Sequence, residues 1–154
     1  MTKFLLALHV LAAIVAIGPV TVAASMFPAA ARHADAATAS GTATVRTLHR
    51  ICRVYTGVAL AVPILGLVTA QSLGVLGSGW LIAAMVLTAV AAAVLGLLVL
   101  PGQEVIVESF DAPDARPVPR EVTVRLAMYT GLFNLLWATV TVLMISRPGS
   151  TTGV

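Results

Sequence analysis

Few side chains in this chain could do chemistry. His9, His33, His49 and Cys52 are the candidate ligands and proton carriers, and Asn134 is the most polar residue deep inside an apolar stretch. His9 stands in an apolar segment that begins at Phe4, about 8 Å along it if the segment is helical. An imidazole in such surroundings suits a proton relay or a ligand for haem or metal, although near a membrane end it can also simply reach interfacial water. Helical spacing places His9 on one face with Ala13 and Ala16, a face that suits the interior of a bundle.

His49 and Cys52 are three residues apart, so they share a helix face and could supply part of a metal site. Nothing at recognisable spacing completes it, and His33 is the one other candidate. A single cysteine excludes an intramolecular disulfide, a CxxC pair and a four-cysteine zinc site. No metal site is assigned, no cofactor is required, and His9 remains the candidate cofactor-binding residue. His9 and His49 cannot share a haem iron: they fall near opposite ends of successive helices, about 20 Å apart along the bundle. No GxSxG, HExxH or Walker pattern is present. No acidic or basic residue lies well inside an apolar segment, where a proton-coupled carrier needs one. The expectation is a protein that is not an enzyme and has no catalytic residues.

The elements that hold these residues follow from composition. Of 154 residues, 59% are hydrophobic and 10% charged, and the mean hydropathy is +1.02. A soluble domain carries about 25% charged residues, so lipid is the solvent for this chain. Four apolar segments, about 4–24, 51–70, 80–100 and 126–145, each match the roughly 20 residues that cross 30 Å of hydrocarbon as helix. Strands of about 10 residues alternating in polarity, the mark of a membrane barrel, are absent. The fold class is therefore all-α, a four-transmembrane-helix bundle running up-down-up-down without a soluble domain. It forms one domain over 1–147, and residues 148–154 read as a flexible tail. The first segment resembles a signal peptide at Met1-Thr2-Lys3 and Val22-Ala23-Ala24, but its apolar run exceeds the usual 7–15 residues, so it is expected to remain as a helix.

Pro19 and Pro63 lie inside spans and favour kinks. Pro28 is expected to bend or end the first helix, and Pro101-Gly102 to end the third. The connections read as about Ser25 to Arg50, partly helical over 29–39, then Gln71 to Gly79 as a short turn, then Pro101 to Glu121. The third holds five of the six acidic residues: Glu104, Glu108, Asp111, Asp114 and Glu121.

The net charge is +3 and the pI about 9.8. The arginines flank apolar segments and form no nucleic-acid motif, so no nucleic-acid partner is expected. Arg32, Arg46, Arg50, Arg53, Arg116, Arg120 and Arg125 gather on one side, against Lys3 and Arg147 on the other. By the positive-inside rule both termini are outside a bacterial plasma membrane. Arg46, Arg50 and Arg53 recur at helical spacing, a basic stripe suited to anionic lipid headgroups and within reach of Glu104 and Glu108. Glu121 and Arg125 are spaced as an ion pair. Tyr55, Tyr129 and Trp80 suit the interfaces, and Trp137 suits mid-span packing.

Small residues mark the expected helix-packing faces. In the fourth span these are Ala127, Gly131, Asn134, Ala138 and Thr141; in the third, Ala84, Thr88, Ala92 and Gly96; in the second, Ala59, Pro63, Gly66 and Ala70. They fit either the core of the bundle or a face that docks another membrane protein.

Leu8-His9-Val10-Leu11-Ala12-Ala13, then Gly18-Pro19, then Leu48-His49-Arg50 with Arg53, Tyr55 and Gly57, resembles a bacterial family of predicted integral membrane proteins, domain of unknown function twenty-two sixty-nine. The resemblance spans nearly the whole chain and implies a four-helix membrane protein, with no activity attached. The first helix is also distantly similar to copper-resistance-D-like and haem-pathway membrane proteins, which often place a Trp and paired glycines after the histidine. Here Ile14-Val15-Ala16-Ile17-Gly18 follows instead.

The favoured function is a membrane protein acting through helix packing, as an accessory or interaction subunit that binds other membrane proteins or itself. The alternatives are a haem- or metal-linked redox protein using His9, and a small oligomeric transporter.

Overall fold

The computed structural model of the chain describes residues 2–34, 39–112 and 117–148. Asp114 and Arg116, and the flexible tail expected beyond Pro148, lie outside the described residues. With no water in hydrocarbon, each backbone N–H and C=O must find its partner within the segment, and helices follow. The described elements are α1 (Thr2–His33), α2 (Ala39–Ala59), α3 (Ala61–Leu73), α4 (Gly79–Val94), a π-helical turn (Leu95–Val99), α5 (Leu100–Ser109) and α6 (Arg120–Ser146). They make four helices long and apolar enough to cross a membrane: Thr2–His33, Ser40–Leu73, Gly79–Ser109 and Arg120–Ser146.

Two of these spans are built from pieces, each with a proline beside the break. Pro63 has no N–H to give the carbonyl of Ala59 and crowds it. The helix breaks just upstream, at Leu60, whose N–H reaches Gly57 O at 3.3 Å. In the third span Leu100 N–H bonds back to Leu95 O, five residues away, which inserts the π-helical turn. Pro101 follows directly after that turn, and lacks the N–H that an uninterrupted α-helix would give to Leu97 O. Pro101-Gly102 therefore does not end the third helix, which runs on to Ser109. Pro28 likewise sits inside α1 and does not end it.

The connections are shorter than the sequence suggests. At 32 residues α1 is about 48 Å long, well beyond the 30 Å of hydrocarbon. Its overhang and the first half of α2 pack together through Phe27, Ala31, Val45 and Leu48. That burial from water keeps most of the stretch from Ser25 to Arg50 helical. The turn between α3 and α4 is residues 74–78. Gly74 takes a left-handed conformation (φ +68°) that closes α3, its N–H and that of Val75 reaching the last carbonyls, and the N–H groups of Leu81 and Ile82 bond Ser78 O to open α4.

Around the bundle, α1 packs on α2, α3 and α6, and α6 also packs on α4 and the π-helical turn. α2 meets α5, whereas α3 and α4 make at most marginal contact despite their tight turn. The densest core lies toward the arginine-rich end, around Val20, Phe27, Val45, Val99, Ile106 and Phe133. Many large apolar side chains, among them Ile14, Ile64, Leu97, Met128 and Ile145, point outward as lipid-facing surface.

Candidate functional site

The polar side chains fall into separate groups at different depths. The first is His9 on α1. Its Nδ1 lies 3.0 Å from the carbonyl of Val62 on α3. A carbonyl only accepts, so Nδ1 carries the proton and donates, which leaves Nε2 as the open nitrogen. The ring rests on Gly66: a Cβ at that position would stand 2.9 Å from His9 Cε1 and 3.4 Å from Nδ1. Gly66 is thus the gap into which the imidazole fits, beside the Pro63 break. Among the residues of the second-span small face, Gly66 receives His9, Ala70 is buried, and Pro63 faces outward.

The second group is His49, Cys52 and Gln103. Gln103 is fully buried. Its Oε1 accepts from His49 Nδ1 at 3.2 Å, and its Nε2 donates to Cys52 Sγ at 3.5 Å. The shared face of His49 and Cys52 therefore holds an amide from the third span. Sequence reasoning missed Gln103 because it follows Pro101-Gly102 in what reads as a loop. The available signal was the apolar spacing of Ile106 and Phe110 after it, which continues a buried face. Val62 and Gly66, which meet His9, lie thirteen and seventeen residues beyond His49 on the same span, about 20–25 Å along it. The two histidines are thus far apart in the fold. His33 is exposed at the end of α1. Among the described residues, no three His, Cys, Asp or Glu side chains converge as a metal site.

The third group lies on α6. Asn134 Nδ2 donates to Ser25 Oγ on α1 at 3.0 Å, while Asn134 Oδ1 and Thr130 Oγ1 are buried without a hydrogen bond. The inward seam of α6 is Thr123, Leu126, Thr130, Phe133 and Val140, with Trp137 packed against it. Ala127, Gly131, Ala138 and Thr141 are exposed, and a Cβ on Gly131 would meet nothing. Asn134 apart, which meets α1, the expected packing face thus lies one residue, about 100° of rotation, away from the real seam. On the third span, Ala84 is buried and Thr88 half-buried, but Ala92 and, in the π-helical turn, Gly96 are exposed. A spacing of four overshoots the 3.6-residue turn by about 40° each step, so that row winds off the core. The larger side chains Leu81, Val94, Leu95 and Val99 form the inward face together with Ala84 and Ala91.

The fourth group is the basic stripe of α2. Arg46, Arg50 and Arg53 are all exposed. Arg46 pairs with Asp111, beyond the end of α5, and not with Glu104 or Glu108. This is the one ion pair among the described residues, so Glu121 and Arg125 are not paired. Tyr55 and Tyr129 pack at the border of the core. At the far end, the guanidinium of Arg147 stacks over the Trp80 ring, 5.9 Å from its centroid.

A family model described as Predicted integral membrane protein (DUF2269) matches residues 3–148. No curated protein and no solved structure matches the chain. The chain belongs to the DUF2269 family and is an integral membrane protein with four candidate spans.

Proposed function

We propose that this member of the family is a non-catalytic accessory subunit that binds a transmembrane helix of another membrane protein on the small-residue face of α6. One observation carries the reading: Ala127, Gly131, Ala138 and Thr141 are turned away from the chain's own core, with open space at Gly131. Between helices in lipid there is no water to expel, so association rests on close backbone approach, which small residues permit. In this reading the arginine-rich end is cytoplasmic and both termini are outside a bacterial plasma membrane, from the excess of Arg and Lys at that end.

The test is photo-crosslinking in native membranes from a probe at Ala138, with a probe at exposed Val22 on α1 as control. Discrete protein adducts from Ala138 alone, lost on Gly131→Leu without loss of helicity, are expected. Lipid adducts alone at both positions would refute the reading.

A second reading, a haem- or metal-linked protein, is favoured by the His9 contact. Donation from Nδ1 to a backbone carbonyl is how ligating histidines are commonly oriented, with Nε2 toward the ligand. Haem absorbance in protein expressed with haem supplied, and its loss in His9→Ala, distinguishes this reading from the first.

A further inference from the structure

The exposed face of α2 changes character along its length, and its order matches that of a phospholipid. Going up from the arginine-rich end it presents Arg46, Arg50 and Arg53, then Gly57, then Leu60 and Ala61 at the break, then Ile64, all exposed. Arg53 lies twenty residues from Leu73, the last residue of the span, about 30 Å along helix, so it sits at the edge of the hydrocarbon. Arg50 is about 4.5 Å further out, at headgroup depth. Arg46 is held by Asp111. Arg50 and Arg53 have no carboxylate partner among the described residues. Three residues apart on one helix, they are neighbours on its surface, so both guanidinium groups can reach one phosphate. Directly above Arg53, Gly57 leaves a notch, with nothing within 4 Å of where its Cβ would stand. Val54, Val58 and Leu60 border it with exposed apolar side chains, and the small Ala61 extends it.

We propose that this face is a site for one anionic phospholipid, its phosphate held by Arg50 and Arg53 and an acyl chain lying over Gly57 and Ala61. Charge complementarity and the depth of the arginines select the occupant: a headgroup of net negative charge with a hydrocarbon chain attached. A zwitterionic lipid carries its own cation beside the phosphate and gains less from two arginines. The site uses no residue of the α6 face and stands independently of the accessory role.

The experiment is lipid titration of the full chain in neutral detergent, read by native mass spectrometry. The probes are phosphatidylglycerol, phosphatidylcholine and inorganic phosphate. The variants are R50Q/R53Q, Gly57→Leu and, as a control for bulk charge, Arg125→Gln. Phosphatidylglycerol is expected to bind above phosphatidylcholine. R50Q/R53Q should weaken it about 30-fold, from roughly fivefold per arginine near a membrane surface. Arg125→Gln should leave it within twofold. Gly57→Leu should weaken the lipid and leave the circular dichroism unchanged. Equal binding of the two lipids, or equal losses in R50Q/R53Q and Arg125→Gln, would overturn the site. Inorganic phosphate displacing the lipid at equal concentration, or Gly57→Leu without effect, would overturn the acyl-chain part of it.

Discussion

Gly66→Ala adds one methyl group where the structure has an imidazole edge. The new Cβ would stand 2.9 Å from His9 Cε1, so the ring must retreat by about half an ångström to reach ordinary contact. The Nδ1 to Val62 O distance, now 3.0 Å, would then approach 3.5 Å, where a hydrogen bond is largely lost. Interhelical hydrogen bonds in membranes contribute about 0.6 kcal/mol on average and at most about 1.7. Overpacking adds about 1–3 kcal/mol. Against this, alanine is favoured over glycine inside a helix by about 0.8–1 kcal/mol. The net expectation is a loss of about 1–3 kcal/mol. In a His9→Ala background the clash and the bond are both gone, and only the helix preference remains. There Gly66→Ala should stabilise, by about 0.5–1 kcal/mol. The sign of the effect thus inverts, and the coupling between the two sites is about 1.5–4 kcal/mol. Equilibrium unfolding in mixed micelles of neutral detergent and dodecyl sulfate, followed by circular dichroism, measures all four proteins. A Gly66→Ala effect of the same sign and size in both backgrounds would refute the packing of His9 on Gly66.

Phe27→Ala should cost about 3–5 kcal/mol in the same assay, because Phe27 is fully buried where α1 meets α2. Ile64→Ala, on a lipid-facing side chain, should change stability by far less; equal losses would contradict the placement of the core. Gln103→Leu keeps the volume but leaves His49 Nδ1 and Cys52 Sγ without their partner, and is expected to cost about 1–3 kcal/mol. The cost should shrink when His49→Leu is added, and full additivity of the two changes would show that they do not interact.

The four spans were legible in the residues because span formation is local. Transfer of about 20 apolar side chains to lipid needs no knowledge of any neighbour, and the lengths from Phe4, Ile51, Trp80 and Leu126 match the bilayer. Arginine at the ends is local in the same sense, so the basic stripe and its exposure could be read directly. The helix ends were less legible. Pro28 and Pro101 look like stops, and only packing of Phe27 and Ile106 into the core shows why the helices continue past them.

Which face of α4 and of α6 turns inward was decided by the tertiary structure. In water a helix announces its buried side by being apolar there, but in lipid both sides are apolar and the periodicity carries no such mark. On α6 the row of small residues looked like the seam, yet Leu126, Phe133 and Trp137 fill it, and Gly131 and Ala138 face out. The contacts of the polar residues were decided in the same way. His9 could be recognised as a polar group in a membrane helix from its position. That it meets Gly66 and the carbonyl of Val62 depends on how α1 crosses the broken second span. Sequence settles what each side chain can do in lipid, while the shapes of four helices packed together settle which of them meet.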